Sequence, residues 1–372
     1  MGSLDHHGDV GLSDVMPSAA AALGVPGFED RLGIGTADAV VVCLVDGLGA
    51  TCIESHPDLF PVLEGARGGS IAAAFPTTTA TGLASLGTGM ESGQHGIVGA
   101  SFWLPESEQV LSPLHWGSDP PPLAVQPETT VFEQVAASHR ACVAVGPSAY
   151  AGSGLTRGVL RGSTYRSAES IDERIAVTSD AIEVARREGR QVLVYVYWPA
   201  LDRAGHEHGV GSDPWVSAAS DVQRLLSRLR GILPAMGRLV VTADHGMVDA
   251  GERVWLEDQA SLRWGVRLVA GEPRMRHVYC EPGEIDNVRD RWRDVLQERA
   301  LVYVREEAIA QDLFGTVDPI LADRIGDVVV IAHLGTCLTS RRIDPRVSAL
   351  PGQHGGLSSA ERRIPGLILD PI

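Results

Sequence analysis

The sequence predicts an α/β protein with a mostly parallel central sheet and helices on both faces. Three observations lead there. VVVCLV at 40–45 and VLVYVYW at 192–198 are continuous, β-branched apolar runs rather than alternating ones, as expected of strands buried on both faces. Strand-like and helix-like stretches alternate along most of the chain, as crossover connections require. Asp, Thr or His residues follow four of the strands, at the sheet edge where open parallel sheets bind ligands.

Taken in order, residues 1–38 show no clear periodicity and are expected to wrap the surface as an N-terminal extension, leaving 39–372 as the catalytic domain. Val40 to Val45 is the first strand, and Ser70 to Phe75 a weaker one. Thr130 to His139 reads as a helix followed by the strand Cys142 to Val145. Ser170 to Arg187 is helical, with acidic residues near its start and arginines near its end to suit the helix dipole. Val192 to Trp198 is a strand, about Val216 to Leu229 a helix, and Leu239 to Thr242 a strand. From about 251 to 345 the character changes. There, strand-like His277 to Cys280, a helix over Asn287 to Glu298 and the strand Asp327 to Ala332 predict an inserted small α/β lobe.

Composition excludes several functions. The formal net charge of -16 disfavours a grip on nucleic-acid polymers, which needs a positive footprint. Small phosphate substrates escape that objection, because metal ions supply positive charge locally. All 31 basic residues are arginine, which rules out a Walker P-loop, a Schiff-base enzyme and a kinase of the usual type. Five scattered cysteines (Cys43, Cys52, Cys142, Cys280, Cys337) form no CxxC pair and suit a reducing compartment. The acidic N-terminus is unlike a signal peptide, and no window reaches the roughly 18 apolar residues of a membrane span. These features predict a soluble cytoplasmic protein without a membrane partner; oligomeric state is not legible.

The strand ends carry the chemistry. VVVCLV runs into Asp46-Gly47, SIAAAF into Pro76 and Thr77-Thr78-Thr79, VLVYVYW into Asp202 with His206 four residues on, and LVVTA into Asp244-His245-Gly246. Each has an ordinary explanation. Asp-Gly after a strand is commonly a turn, threonines favour helix starts, and an Asp and His four apart share one face of any helix. Together, at one edge, they supply carboxylate and imidazole donors suited to a divalent ion. His354, in the Gly-flanked PGQHGGL, offers one further imidazole. His95 and His208 are read as supporting groups rather than ligands, and His6 and His7 as part of the tail.

The ordered set D-G, T-x5-S-x2-T-G, D-x3-H-x2-G, D-H-G and H-G-G, from Asp46 to about Glu361, resembles the alkaline phosphatase superfamily. Within it, the set is similar to the type I phosphodiesterase and nucleotide pyrophosphatase family. The resemblance implies two divalent cations and a threonine nucleophile. It groups Asp46, Thr79, Asp244 and His245 about one ion, and Asp202, His206 and His354 about the other. Thr79 is chosen because Ser85, Thr88 and Gly89 then fall at the family's spacing. Three Asp and three His favour zinc, with manganese an alternative. Tyr197 matches an aromatic position near the family's substrate site. The aromatic that follows the nucleophile in nucleotide-cleaving members is Ala80 here, and their phosphoryl-binding Asn is Ala100. The expected activity is hydrolysis of small phosphodiesters, nucleotides among them, through a covalent phospho-threonine. Phosphomonoesterase or phosphonate hydrolase activity on the same metals is the alternative, and a metal-binding scaffold the non-enzymatic one.

Overall fold

The computed structural model describes residues 10–333 and 335–372; His6 and His7 lie outside them. A seven-stranded sheet carries the molecule, in the order Arg67–Ala72, Arg363–Leu369, Gly237–Thr242, Ala39–Val45, Val192–Trp198, Ala141–Gly146, Thr164–Ser167. Arg363–Leu369 is antiparallel to both neighbours, and the other six strands run in one direction. The two central strands, Ala39–Val45 and Val192–Trp198, are buried at every position, so helices must cover both faces. Ile171–Arg187 packs against Asp213–Gly231, while Val15–Ala22 packs against Val131–Ala137 and Thr79–Thr88.

Two expectations need correction. The segment before the first strand does not simply wrap the surface: within Val15–Ala22, Val15, Met16, Ala19 and Ala20 are fully buried. Small side chains let this helix approach its neighbours closely, and burial nearly all round leaves no amphipathic stripe to read. The weak strand runs over Arg67–Ala72 rather than Ser70 to Phe75. The antiparallel ladder ends where Arg363 meets Ala72, with one further bond from Ala73 N to Arg362 O, and Ala74 to Thr78 then turn toward the site.

Residues beyond the main sheet's sixth strand in sequence build a second, four-stranded antiparallel sheet. Its order is Val266–Glu272, Met275–Cys280, Val328–Ala332, Ala300–Val304. Helix Ile285–Leu296 lays Val288, Trp292 and Leu296 on it, forming a hydrophobic cluster distinct from the main core. This lobe clamps the segment after His95. His277 Nε2 meets Val98 O at 2.8 Å, and Ser101 Oγ bonds Gly271 O and Gly271 N at 3.0 and 2.9 Å.

Candidate active site

Four strand ends and one late loop converge at the carboxyl edge of the main sheet. Asp46 follows the first strand. The turn at Gly47 has φ 75°, and a Cβ there would lie 3.0 Å from Asp202 Cα, so glycine answers both the turn and the close approach. Asp202 and His206 share one face of the helix Ala200–His208. Asp244 and His245 follow the strand Gly237–Thr242. His354 follows Gly352–Gln353, which pairs with Val248–Asp249 and so brings the loop to the site.

Thr79 opens the helix Thr79–Thr88, and its Oγ1 lies 3.2 Å from His245 Nε2. Thr77 is used differently: its hydroxyl donates to Gly356 O at 2.9 Å and accepts from Gly355 N at 3.1 Å. The spacing residues have physical roles. Ser85 Oγ meets His95 Nε2 at 2.9 Å, Thr88 Oγ1 donates to Ala84 O, and Gly89 closes the helix at φ 71°. His95 thus braces the Thr79 helix, and exposed His208 lies beside Glu207.

Among the described residues, two groups of potential ligand atoms lie mutually within 4.8 Å: Asp202, His206 and His354, and Asp46, Asp202 and His245. Asp202 therefore stands between the two sets that the resemblance separates. Its Oδ1 is 3.6 Å from His206 Nε2 and 4.0 Å from His354 Nε2. Asp244 Oδ2 lies 3.6 Å from His245 Nε2, while its Oδ1 accepts from Gly47 N and His245 N.

The donor chemistry fits divalent cations. All three imidazoles place Nδ1 on a backbone carbonyl: His206 on Gly352, His245 on Gly246, His354 on Thr77, at 2.8 to 2.9 Å. Those acceptors require the proton on Nδ1 and turn the Nε2 lone pairs into the site. His206 Nε2 and His354 Nε2 face one another at 3.0 Å, where two lone pairs repel unless a cation or proton lies between them. Asp46 Oδ1, Asp202 Oδ1 and Asp244 Oδ2 are buried without any hydrogen-bond partner, a cost that a cation removes.

Burial, and then the charges of Asp244 and Asp202, push the Asp46 carboxyl well above its usual range. Burial also raises Asp202, against the pull of His206 and His245. His354 is held far below the usual imidazole range by burial and by its neighbours His245 and His206. Carboxyls raised in the folded state weaken the metal-free fold as pH climbs through their folded values. Cation binding relieves that cost and competes with protons for the same groups. The zinc-induced rise in Tm is therefore expected to be larger at pH 8 than at pH 5, and an equal or larger rise at pH 5, followed by calorimetry, would contradict this account.

Tyr197 reaches the site in two ways. Its hydroxyl donates to Asp46 Oδ2, so it orients a candidate ligand, and the residue borders the neighbouring cavity. That cavity, of about 490 Å³, opens beside Asp46, Thr79 and Asp202 and is walled by Tyr150, Tyr165, Leu83 and Leu155, with Arg203 also lining it. Sequence reasoning missed Glu272, which lies 3.5 Å from His354 Nδ1, and the buried pair Arg274–Glu361 behind the His354 loop. No local spacing signals them, because both contacts bridge the lobe and the core.

The fold and this edge define a hydrolase of the alkaline phosphatase superfamily. More narrowly, the profile described as Type I phosphodiesterase / nucleotide pyrophosphatase matches residues 40–357. The chain belongs to that family, metal-dependent hydrolases of phosphoester and pyrophosphate bonds. No curated protein sequence matches it. Among solved structures, it is similar to murine ectonucleotide pyrophosphatase/phosphodiesterase 5, in an inactive form with a threonine replaced by alanine and in complex with AMP. That match has TM-score 0.71 and 20% identity, covering 88% of this chain and 87% of the other. It is also similar to phosphonoacetate hydrolase from Sinorhizobium meliloti in complex with phosphonoformate, with TM-score 0.66 and 20% identity, covering 89% and 90%. Among the described residues, no helix is long and apolar enough to cross a membrane.

Proposed function

We propose that the protein is a two-cation phosphodiesterase or pyrophosphatase that hydrolyses small phosphodiesters through a covalent phospho-Thr79 intermediate. One observation carries this reading: Thr79 Oγ1, at the start of a helix, lies beside His245 in a cluster of ligand groups where Asp46 Oδ1 and Asp202 Oδ1 are buried without partners. Thr79 Oγ1 attacks phosphorus, the bond to the leaving oxygen breaks, and water later cleaves the phospho-threonine to regenerate the hydroxyl. The backbone N–H groups at the start of Thr79–Thr88 face the phosphoryl oxygens, where the helix dipole favours negative charge. Asp46, Asp244 and His245 would hold one cation and His206 and His354 the other, with Asp202 between them. Zinc, or manganese, when bound, supplies the charge that activates the hydroxyl and neutralises the leaving oxygen. The neighbour that binds AMP supports a nucleotide-like substrate. Five unpaired cysteines, four of them buried, support a reducing, cytoplasmic setting.

A phosphonate hydrolase is the second reading. It is favoured by Ala80 and Ala100 at the positions where nucleotide-cleaving members carry an aromatic and an Asn, and by the phosphonoacetate hydrolase neighbour. The test is hydrolysis of bis-p-nitrophenyl phosphate, p-nitrophenyl phosphate and phosphonoacetate by zinc- and manganese-loaded protein. A clear diester preference is the expected result. Preference for the monoester or the phosphonate overturns the substrate class and leaves the metal centre standing.

A further inference from the structure

The lobe reaches the site through the turn between Val266–Glu272 and Met275–Cys280. Glu272, at the end of the first of these strands, is only 6% exposed, and its carboxylate lies 3.5 Å from His354 Nδ1. The backbone bends around that carboxylate. Gly355 has φ 124°, and a Cβ there would sit 2.7 Å from Glu272 Cδ. His354 Nδ1 also donates to Thr77 O at 2.9 Å, within the segment that leads into Thr79. The imidazole is thus held at one nitrogen by the nucleophile segment, with the lobe's carboxylate beside that nitrogen, while its other nitrogen faces His206 and Asp202. Two residues after Glu272, Arg274 donates to both oxygens of Glu361 at 3.0 and 2.9 Å, and Glu361 Oε1 accepts from Gly356 N at 2.9 Å. One turn of the lobe therefore grips both ends of the loop that carries His354.

We propose that Glu272 is a positioning residue for the cation group of Asp202, His206 and His354, which makes the lobe part of the active site. A carboxylate beside the far nitrogen of a ligating histidine supports the tautomer and orientation that the Thr77 carbonyl sets, and raises the basicity of the ligating nitrogen. The inference rests on the two-cation reading above. A purely structural Glu272 would link lobe to core without changing ion affinity, and the two roles separate in solution.

The experiment is titration of chelated wild type, Glu272→Gln and Glu272→Ala with zinc alone, against a competing chelator, with thermal unfolding of each metal-free protein. The wild type is expected to bind two equivalents. Glu272→Ala is expected to keep one at wild-type affinity and to bind the other about ten- to hundredfold more weakly, with metal-free Tm close to wild type. Glu272→Gln, which keeps the shape and loses the charge, falls between, and decides the matter by the same criterion if Glu272→Ala does not fold. Two unchanged affinities in the variants overturn the inference. So does equal weakening of both sites accompanied by a lower metal-free Tm, which assigns Glu272 to the fold. A wild type that takes up no zinc overturns the two-cation reading itself, and the inference with it.

Discussion

Thr79→Ala is expected to lower diester turnover by about a thousandfold or more while zinc stoichiometry stays at the wild-type value. The two outcomes separate because the hydroxyl and the ligand set reside on different elements. Thr79 contributes Oγ1 from the first turn of its helix, whereas the three Asp and three His come from two strand ends, another helix and the His354 loop. Alanine suits that first turn, and the preceding residue Thr78 keeps its extended backbone without any side-chain cap to lose. The measurement pairs steady-state hydrolysis of bis-p-nitrophenyl phosphate with metal analysis of the same sample. Near-wild-type turnover would move the nucleophile to Thr77 or Thr78. Of these, Thr77 is the harder case, since its hydroxyl already bridges Gly356 O and Gly355 N. Loss of turnover together with loss of metal would instead make the Thr79 hydroxyl a ligand before it is a nucleophile.

What could be read from the sequence follows a physical line. Ala39–Val45 and Val192–Trp198 announce themselves because burial on both faces demands unbroken apolar, β-branched residues. Arg363–Leu369 does not: Pro365 and Gly366 interrupt its pattern, and its place is set by partners far away in sequence, Arg67–Ala72 and Gly237–Thr242. Val15–Ala22 was hidden for the opposite reason, since a helix buried nearly all round has no stripe. At the site, Asp46, Thr79, Asp202, Asp244 and His245 could be picked out because each stands just beyond a strand or opens the helix after it, where backbone geometry alone brings them to one edge. His354 needed the resemblance, because its approach depends on the pairing of Gly352–Gln353 with Val248–Asp249. Glu272 could not be found at all. Its neighbour His354 lies far away in sequence, on a loop outside the lobe, and a lone glutamate at a strand end has no spacing to betray it. Tyr197 borders the cavity beside the site, as its strand position implies, but that its hydroxyl meets Asp46 could not be read, since position along a strand indicates the edge a residue reaches and not which neighbour its hydroxyl meets.

Asp202→Asn is expected to weaken both cation sites at once, and to do so without destabilising the metal-free protein. The first half follows from position. Asp202 belongs to both ligand groups, with Oδ1 3.6 Å from His206 Nε2 and within reach of Asp46 and His245. Removing its charge should cost, in affinity at each site, at least the roughly ten- to hundredfold that loss of a partner behind a ligand costs, whereas His206→Ala should affect only one. The second half follows from burial. Asp202 Oδ1 has no hydrogen-bond partner, and burial raises the carboxyl above its usual range. A carboxyl raised in the folded state stabilises below its unfolded value and loses that contribution as pH rises through the folded value. In the chelated protein at neutral pH the carboxylate is thus a cost, which asparagine removes. Metal-free Asp202→Asn should therefore melt at or above the wild-type temperature at pH 8, with the difference shrinking toward pH 4, while the zinc-induced gain in Tm falls sharply. Loss of one equivalent alone would restore the strict division into two ligand sets, with Asp202 in only one. A metal-free variant that melts below wild type at pH 8 would mean that the carboxylate holds the fold together through the Ala200–His208 helix, and that its missing hydrogen bonds are not a vacancy kept for a cation.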